Sequence, residues 1–477
     1  MPLRQRCEAN GEIALASARR VPDVRSLAGV LSFAALLWAR GGPLFAAGLV
    51  LPNILSLATL GSLIDVGLPP RTACILLYAA LAMCARRIPF AVTAVLFLAI
   101  LAFDLVWTLS VSFGLRPHDL VLALDYARHI HVLDSPLYVT LIAVLAVTSA
   151  ATLRLLSNRE ALLRGNIVAL FAAALIFAGI DYISNADAHY NFGAMIHPDG
   201  PIESATNSSG FSSVAGVNGR NVVVVIVESL GYLTDPTARA QVAAPLFDAR
   251  VTQKYKVTSG HNGYYGSTTF GEMRELCGTR EPYRDFTAKS GASCLPERLH
   301  LRGYATIAVH AFSGDMFDRK EWYPKVGFDK ELFGEELMTR TNRMCGTAFR
   351  GVCDADLAPL IAKEAAYTNK PRFIYWLTLN THVPVAPGDA RTDFGCNSKD
   401  TVFAHPSVCR MGELWHDLFT TIARLALDPA IGPAEILIVG DHAPPLWSKR
   451  ARGMFAAGQV AWYRLTPNDG AVAAANF

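Results

Sequence analysis

The chain has 477 residues, 52% of them hydrophobic and 17% charged, with a formal net charge of +3. This length leaves room for two or three domains, and the small net charge without a basic tract argues against a nucleic-acid partner. Nearly all long apolar runs lie before residue 185, and the first lysine is Lys254. We therefore predict an integral membrane region followed by a globular domain.

Five apolar segments are candidates for membrane-spanning helices, since about 20 apolar residues cross a bilayer. We predict spans near residues 44–64, 70–86, 89–113, 136–156 and 166–184. The apolar stretch 27–39 is interrupted by Arg40, two glycines and Pro43, so it is either part of the first span or an interfacial helix. Residues 1–25 lack the clean apolar core and cleavage site of a signal peptide.

The arginines predict how the spans are oriented. With five spans, three arginine clusters fall on one side of the membrane: Arg4, Arg6, Arg19, Arg20 and Arg25; Arg86 and Arg87; and Arg154, Arg159 and Arg164. Positive residues accumulate on the cytoplasmic side. An odd number of spans then puts the C-terminal domain outside the cytoplasm.

Two features of the membrane region carry no firm assignment. Asp104 lies inside the third predicted span, where a carboxylate is costly. It is either functional or placed at a helix–helix contact or a water pocket. The loop 114–135 contains three histidines and alternating apolar residues, which suits the membrane surface but predicts no chemistry.

Six cysteines of the C-terminal part form three sequence-local pairs, Cys277/Cys294, Cys345/Cys353 and Cys396/Cys409. Disulfides persist in oxidising compartments, so the pairs agree with a domain outside the cytoplasm. Six cysteines also allow other pairings, and reduced thiols in a cytosolic domain are the alternative. No Cys/His spacing predicts structural zinc.

A strand followed by a carboxylate opens the C-terminal part. The run 222–227 is apolar without alternation and precedes Glu228. It predicts a strand buried on both faces, as in parallel α/β sheets. Ligands of such folds bind beyond the carboxyl ends of the strands. Taken alone, Glu228 could equally be an exposed carboxylate that closes a strand.

The same pattern returns near the end of the chain. Residues 435–440 form a second apolar run, and Asp441 and His442 follow it. A carboxylate oxygen and an imidazole nitrogen can bind one metal ion. Two buried strands that each end in metal-binding groups predict a metal site more strongly than either alone.

A glycine-rich turn at 263–267 runs into a predicted helix. Thr269 with Glu272 fits a capping box, which leaves Thr268 at the start of the helix. Backbone N–H groups and the helix dipole favour an anion there. A hydroxyl at that point can be deprotonated by a metal and attack phosphorus. The alternative is that the three hydroxyl residues 267–269 only cap the helix.

Together these motifs resemble the alkaline phosphatase superfamily. Within it, the chain is similar to the membrane-bound branch of lipoteichoic acid synthases, phosphoglycerol transferases and lipid A phosphoethanolamine transferases. The resemblance covers the architecture of nearly the whole chain and, motif by motif, residues 221–445. It implies an N-terminal α-helical transmembrane region of about five helices (1–184), a linker (185–219) and a C-terminal α/β sulfatase-like, alkaline phosphatase-like domain (220–477).

The resemblance also implies a metal site. Glu228, Thr268, Asp441 and His442 would hold a divalent cation, Zn²⁺ or Mn²⁺, with Thr268 as the catalytic nucleophile. A glutamate four residues after the threonine is usual in the lipoteichoic acid synthase branch. Glu272 has that spacing, which favours Thr268 over Thr269.

Two further blocks resemble substrate-binding segments of the family. By that likeness His310, Phe317 and Arg319 would face the substrate headgroup, although family members often have tryptophan in place of Phe317. His382, after the apolar run 373–377, would bond the phosphate or protonate the leaving oxygen as a catalytic residue. Taken singly, either histidine could be an ordinary buried one, and Arg319 a surface salt bridge.

The implied function is transfer of a phosphoglycerol or phosphoethanolamine headgroup. The donor would be a membrane phospholipid, the acceptor a cell-envelope glycan or lipid, and the intermediate a phospho-threonine. The implied location is the bacterial inner membrane, multi-pass, with the catalytic domain in the periplasm. A hydrolase on the same fold, either a sulfatase or a phosphodiesterase, is one alternative, and a non-catalytic membrane sensor is another. The Cys/Ser-x-Pro-x-Arg motif of formylglycine sulfatases does not occur at the nucleophile position.

Overall fold

The computed structural model describes most of the chain. The described residues are 41–60, 65, 67–113, 115–196, 201–217, 219–291, 293–341, 343–366, 370–385 and 388–468. The stretch 27–39, the first arginine cluster and the end of the first predicted span (61–64) lie outside them.

The membrane region is helical throughout its described residues. Its α-helices are α1 (Gly42–Phe45), α2 (Ile54–Leu60), α3 (Thr72–Cys84), α4 (Phe90–Phe113), α5 (Pro117–Leu122), α6 (Pro136–Leu156), α7 (Arg159–Leu163) and α8 (Ile167–Ile196). A π-helix (Ala46–Val50) follows α1, and two 3₁₀ helices (Ala123–His129 and Val132–Asp134) precede α6.

Three of these helices are long and apolar enough to cross a membrane: Phe90–Ser112, Pro136–Leu156 and Ile167–Ala186. They coincide with the third, fourth and fifth predicted spans. The second predicted span is the 13-residue helix α3, only about 20 Å long at 1.5 Å per residue. In the first, a turn separates the π-helix from α2. The predicted count of five spans is therefore not confirmed.

The two ends of the long helices have different surroundings. At one end the arginine-bearing loops touch: Arg86 donates to the carbonyl of Leu163 at 3.1 Å, and Arg159 donates to the carbonyl of Arg86 at 3.2 Å. At the other end the membrane region meets the C-terminal domain, where the Gly67 N–H donates to the carbonyl of Trp447 at 2.5 Å. Two of the arginine clusters thus lie at the end away from the C-terminal domain, and the orientation in the membrane stays a prediction.

Asp104 belongs to a buried polar cluster between the membrane helices. Its carboxylate accepts bonds from Arg71, Tyr78 and Thr108. The backbone N–H of Arg71 donates in turn to Asp181 at 2.7 Å. The helix–helix contact, one of the two possibilities for Asp104, is thus the one observed.

The C-terminal domain alternates strands and helices. Its strands are β1 (Val222–Val227), β2 (Gly231–Leu233), β3 (Tyr255–Gly263), β4 (Ala305–His310), β5 (Lys330–Leu332), β6 (Met344–Cys345), β7 (Gly351–Val352), β8 (Arg372–Leu377), β9 (Glu435–Gly440) and β10 (Phe455–Pro467). Its α-helices are α9 (Ala205–Ser208), α10 (Phe211–Val214), α11 (Pro236–Ala243), α12 (Ala249–Lys254), α13 (Thr268–Cys277), α14 (Ala288–Gly291), α15 (Leu295–His300), α16 (Arg319–Val326), α17 (Gly334–Leu337), α18 (Asp354–Ala365), α19 (Pro406–Leu427) and α20 (Lys449–Arg452). Three 3₁₀ helices lie at Ala244–Phe247, Tyr283–Asp285 and Met316–Asp318.

Eight strands form one sheet in the order β2-β10-β9-β1-β8-β4-β5, with β3 also paired to β10. The pairs β9–β1, β1–β8, β8–β4 and β4–β5 are parallel, whereas β10 is antiparallel to its partners. The two runs of apolar residues that predicted buried parallel strands are neighbours at the centre of this sheet. The predicted α/β class is confirmed.

Strand β1 is buried on both faces because the sheet lies between two hydrophobic cores. Val223, Val225 and Val227 face one core, which includes much of α19. Val222, Val224 and Ile226 face the other. Such burial on both sides explains the absence of alternation in the sequence.

The described residues of the expected linker 185–219 include the end of one helix and two short helices. Helix α8 extends to Ile196, and α9 and α10 pack against the sheet, with Ala205 and Phe211 fully buried in its second core. The domain boundaries stay a prediction. All three sequence-local cysteine pairs are disulfides in the structure, as predicted.

Candidate metal and nucleophile site

The carboxyl ends of three central strands meet at one edge of the sheet. Val227 pairs with Gly440, and Ile226 pairs with Leu377. The residues that follow these strands are consequently neighbours, so Glu228 after β1 lies beside Asp441 after β9. This is the edge at which parallel α/β folds bind their ligands.

The four predicted metal ligands converge there. Single ligand atoms of Glu228, Asp441 and His442 all lie within 4.8 Å of one another. The Thr268 hydroxyl donates to Glu228 Oε2 at 3.2 Å and lies 3.4 Å from His442 Nε2. All four residues are at most 9% exposed. That they bind a metal stays a prediction.

One oxygen of this cluster accepts no hydrogen bond and has only an ion-pair contact, 3.4 Å from His442 Nε2. Asp441 Oδ2 is buried without a hydrogen bond, whereas Oδ1 accepts from the backbone N–H groups of Ser229 and His442. A buried carboxylate oxygen without a partner is costly. Two carboxylates, a hydroxyl and an imidazole fit a divalent cation of the Zn²⁺ or Mn²⁺ kind.

The pKa values of Asp441 and His442 are both raised in this cluster. Burial and the neighbouring Glu228 carboxylate raise the pKa of Asp441. For His442, burial opposes protonation, but the attraction of Asp441 and Glu228 outweighs it and raises the pKa. Asp441 and His442 therefore hold protons that a bound cation would displace, whereas His382 and His442 lower the pKa of Glu228 despite its burial.

A hydrogen bond to a backbone carbonyl fixes the orientation of the His442 ring. His442 Nδ1 lies 2.9 Å from the carbonyl oxygen of Ala443, so this nitrogen carries the proton and donates. Nε2 is then turned toward Glu228, at 3.2 Å from Oε1. Metal-binding histidines are commonly held by such a bond to a backbone carbonyl.

Helix α13 delivers Thr268 to the cluster at its first residue. Its N-cap is Ser267, and that side chain makes no capping hydrogen bond. The predicted capping box of Thr269 and Glu272 is wrong, because Glu272 points away from the helix start into a buried cluster of its own. Gly271 allows the helix to approach closely, since a Cβ there would lie 2.8 Å from Asp441 Cβ.

Glu272 binds the predicted substrate residue Arg319. The guanidinium donates to Glu272 through Nη2 at 2.8 Å and to the carbonyl of Met316 through Nη1 at 3.1 Å. Tyr323 and Tyr375 also donate to Glu272. Arg319 is thus buried in an ion pair rather than exposed in a surface salt bridge, and its contact with a headgroup stays a prediction.

His310 ends β4 at the same edge. Its Nδ1 lies 3.1 Å from the carbonyl oxygen of Leu377 and donates to it, which leaves Nε2 without a proton in the neutral ring. Burial and the nearby Arg319 guanidinium lower the pKa of His310 to about 3. The ring is therefore neutral near pH 7 and offers Nε2 as an acceptor.

His382 follows β8 and flanks the cluster. Its Nε2 lies 4.0 Å from Glu228 Oε1, and its Nδ1 donates to the carbonyl of Val383. Phe349 packs on the ring with a centroid distance of 4.0 Å. Burial lowers the pKa of His382, and the negative charge of Glu228 opposes that shift only in part. The imidazole lies beside the predicted metal ligands, as expected from the sequence.

Phe317 does not approach the metal ligands directly. It lines a cavity of about 320 Å³ whose walls include Ser267, Thr269 and Phe270, the immediate neighbours of Thr268. Its backbone is left-handed, with φ 57°, as is that of Asp318. Such backbone strain in non-glycine residues concentrates at functional sites.

Sequence reasoning missed several residues that hold the cluster in position. Ser229 adopts a left-handed backbone with φ 59°, which turns its N–H to Asp441 Oδ1 at 2.8 Å. The Thr378 hydroxyl accepts from the Glu228 N–H at 3.0 Å, and the Thr381 hydroxyl donates to the Glu228 carbonyl at 2.6 Å. The one signal in the sequence for these contacts is the pair of threonines, Thr378 and Thr381, after the apolar run 373–377.

Arg274 holds the other metal-binding loop. It donates to the carbonyls of Gly440 and Asp441 at 2.7 and 3.0 Å. Its Nε donates to Glu275, which in turn accepts the backbone N–H of Thr206. A chain of buried bonds therefore links the segment after the membrane helices to the loop that carries the metal ligands.

Among the described residues, a second group could by distance hold a metal: Cys396, Cys409 and Glu413. The two sulfurs are joined in a disulfide. They are consequently not available as thiolate ligands, and the group is not a metal site.

Comparison with known proteins gives one family match, since residues 220–402 match the family described as Sulfatase. No curated protein matches the chain. Among solved structures, the lipoteichoic acid synthase LtaP from Listeria monocytogenes is 17% identical, with a TM-score of 0.40 over 52% of this chain and 65% of that one. The chain thus spans slightly less than two thirds of the length of LtaP.

Two other solved structures are similar at the same level. Phosphoglycerol transferase GacH from Streptococcus pyogenes is 16% identical, with a TM-score of 0.38 over 56% of this chain and 77% of that one. The C-terminal periplasmic domain of EptC from Escherichia coli, in complex with Zn, is 14% identical, with a TM-score of 0.36 over 54% of this chain and 74% of that one.

Proposed function

We propose that this chain is a membrane-anchored, metal-dependent transferase; the match of residues 220–402 to the Sulfatase family supports the proposal. It moves a phosphoglycerol or phosphoethanolamine headgroup from a membrane phospholipid to a glycan or lipid of the cell envelope. The group is carried in between as an ester of Thr268.

One observation carries this proposal. The Thr268 hydroxyl lies at the start of a buried helix, 3.2 Å from a Glu228 oxygen and 3.4 Å from His442 Nε2, in a cluster where Asp441 Oδ2 accepts no hydrogen bond. A hydroxyl that only caps a helix would bond a backbone N–H of the first turn. That of Thr268 bonds Glu228 instead.

The residues suited to hold the cation are Glu228, Asp441, His442 and Thr268. A divalent ion such as Zn²⁺ or Mn²⁺ lowers the pKa of a coordinated hydroxyl and offsets negative charge on phosphoryl oxygens. Glu228 keeps the threonine oxygen oriented by accepting its hydrogen bond.

In the first step, the Thr268 oxygen attacks phosphorus and the bond from phosphorus to the diacylglycerol oxygen breaks. The Thr268 hydroxyl proton passes by way of its acceptor Glu228 to the unprotonated Nε2 of His382, which then gives it to that leaving oxygen. In the second step an acceptor hydroxyl attacks phosphorus, His382 takes the hydroxyl proton, and the Thr268 oxygen leaves.

The start of α13 helps to hold the transferred group. Its first N–H groups have no partner within the helix and favour an anion. His310, being neutral with an unprotonated Nε2, can accept a hydrogen bond from a hydroxyl or ammonium of the headgroup. Arg319, whose guanidinium is paired with Glu272, adds positive charge near the site.

Mass spectrometry of the full chain after incubation with phospholipid vesicles tests the proposal. We expect the peptide containing Thr268 to gain the mass of phosphoglycerol or of phosphoethanolamine, and the mass identifies the headgroup. The Thr268→Ala variant should gain neither. Release of the group to water without an acceptor would identify a hydrolase, and an adduct on another residue would refute the assignment.

A further inference from the structure

A cavity joins the membrane region to the candidate site. Its volume is about 320 Å³. The membrane region contributes Leu115, Arg116, His118 and Tyr126, and the C-terminal domain contributes Ser267, Thr269, Phe270, Pro282, Tyr283, Arg284, Asp285 and Phe317. The sequence predicted no chemistry for the loop 114–135, yet part of it forms one wall of this cavity.

The contact between the two parts is specific. Arg284 donates to the Tyr126 hydroxyl and to the Tyr283 hydroxyl, each at 2.8 Å. The Tyr126 ring packs against Phe317 with a centroid distance of 5.5 Å, and only 5% of Tyr126 is exposed. A wall with buried, hydrogen-bonded aromatic rings has a defined shape.

The same segment reaches the opposite side of the site. The His131 N–H donates to the carbonyl of Ala348 at 2.8 Å. The adjacent Phe349 packs on His382, the predicted proton donor. Residues 115–131 therefore contact the C-terminal domain on both the Phe317 side and the His382 side.

The position of the cavity relative to the membrane follows from α4. The apolar part of that helix, Phe90–Ser112, is long enough to cross the bilayer, and Leu115 and Arg116 come directly after it. Residues just beyond a spanning helix lie at the level of the lipid headgroups. The cavity thus lies between that level and the start of α13, where Ser267, Thr269 and Phe270 line it.

The chemistry of the walls is mixed. Arg116, His118 and Arg284 supply positive or ionisable groups, against one lining carboxylate, Asp285. Arginine pairs well with phosphate oxygens. Aromatic and aliphatic side chains cover the rest of the surface, and a volume of 320 Å³ is at the lower end of small-ligand pockets, about 300–1,000 Å³.

We infer that this cavity binds the glycerophosphate headgroup portion of a membrane phospholipid, with the acyl chains remaining in the bilayer. The inference rests on the proposed function, because this headgroup is the group that Thr268 would receive. Tyr126 and Arg284 are substrate-positioning residues: they join the two halves of the wall. The membrane region then serves as part of the donor site as well as an anchor.

Photocrosslinking tests the inference independently of turnover. The full Thr268→Ala chain is placed in phosphatidylglycerol nanodiscs that contain a phosphatidylglycerol probe with a diazirine in its headgroup. We expect crosslinks within 115–126 and 282–285. Tyr126→Ala and Arg284→Gln should each lower the yield about tenfold, the change expected when a hydrogen bond to a charged group is lost.

Arg250→Gln is the matched control. Arg284 pairs with Asp318 and Arg250 pairs with Asp248, but the Arg250 side chain is 79% exposed and lies outside the cavity wall. The crosslinking yield of this variant should be unchanged. If Tyr126→Ala does not fold, Tyr126→Phe, which removes only the hydroxyl, carries the comparison. Crosslinks confined to the membrane helices, or equal yields in all variants, would overturn the inference.

Competition separates a lipid from a free phosphate ester. Soluble glycerol phosphate should compete poorly with the lipid probe, and equal competition would overturn the assignment to a phospholipid. The outcome is also distinct from the test of the proposed function. Crosslinking without a Thr268 adduct in the wild-type chain would refute the transferase and keep the lipid site, and an adduct without crosslinking would do the reverse.

Discussion

The protein contains two buried clusters of charged residues, and they differ in one respect. In the membrane region, all four carboxylate oxygens of Asp104 and Asp181 accept hydrogen bonds, chiefly from Arg71. At the sheet edge, Glu228 and Asp441 have no arginine or lysine partner among the described residues, and Asp441 Oδ2 accepts no bond.

The difference indicates what each cluster is for. Buried charges are stable only when they are paired and hydrogen-bonded. The membrane cluster provides its own cation, Arg71, and holds helices together. The sheet-edge cluster has no permanently charged partner, only His442, whose proton a metal ion can displace, so its composition is that of a site completed by a bound cation. The following predictions test this contrast in decreasing order of effect.

The largest effect is expected at the nucleophile. Thr268→Ala should lower headgroup transfer by roughly a thousandfold or more, the loss typical of removing a covalent nucleophile. Thr269→Ala, which keeps the nucleophile and alters only the wall of the neighbouring cavity, is the comparison variant and should lose far less activity. Transfer rates from labelled phospholipid provide the measurement. Comparable losses in the two variants would point to helix capping instead.

Removing the Asp104 carboxylate should lower the stability of the membrane region. Asp104→Ala leaves the Arg71 guanidinium buried without its main partner, which should cost about 3–5 kcal/mol of unfolding free energy. Thermal unfolding in detergent measures it, and replacing both partners by Arg71→Met and Asp104→Leu should recover most of the loss. Asp125→Ala, at an exposed position of the same region, is the control. An unchanged midpoint for Asp104→Ala would contradict the contrast.

Packing of α13 on the metal-binding loop should be sensitive to a single methyl group. In Gly271→Ala the added Cβ would lie 2.8 Å from Asp441 Cβ, and such overpacking typically costs about 1–3 kcal/mol. We expect weaker metal binding, measured by competition with a chelator. Gly179→Ala, where no atom lies within 4 Å of the new Cβ, should bind metal normally. Equal affinities would show that the loop tolerates displacement.

Metal affinity should rise with pH. The pKa of His442 is raised by Asp441 and Glu228 despite burial, so near neutral pH the ring holds a proton that a cation must displace. The cost is greatest at low pH and disappears above the raised pKa. Affinity should change by up to about tenfold per pH unit for one displaced proton. Isothermal titration at several pH values measures this, and a flat profile would show that His442 is not a ligand.

Much of the site could be predicted from the sequence because strand burial and strand ends are local properties. The two apolar runs identified β1 and β9, and the residues after them, Glu228, Asp441 and His442, meet because parallel strands end at one edge. The sequence-local disulfides were predictable for the same reason, since short separations favour pairing. The use of Glu228, Asp441 and His442 as metal ligands stays a prediction.

What could not be predicted depends on contacts between distant segments. The capping box at Thr269 was wrong because Glu272 binds Arg319, 47 residues away, and local pattern cannot reveal such a competitor. The roles of Ser229 and Arg274 depend on backbone atoms, which leave no signal in side-chain identity. The count of five spans is not confirmed because the second predicted span is a 13-residue helix, and nothing in the sequence indicated that Arg71 before it bonds Asp104 and Asp181.

The most direct test of the central claim is the metal content of the purified full chain. We predict that the wild-type chain retains Zn²⁺ or Mn²⁺ through gel filtration and that Asp441→Ala and His442→Ala lose the metal. Asp104→Asn changes the membrane cluster, where Arg71 supplies the positive charge, and should retain the metal. Equal metal content in the wild type and in Asp441→Ala would contradict the account, because the unpartnered Asp441 oxygen would then hold no ion.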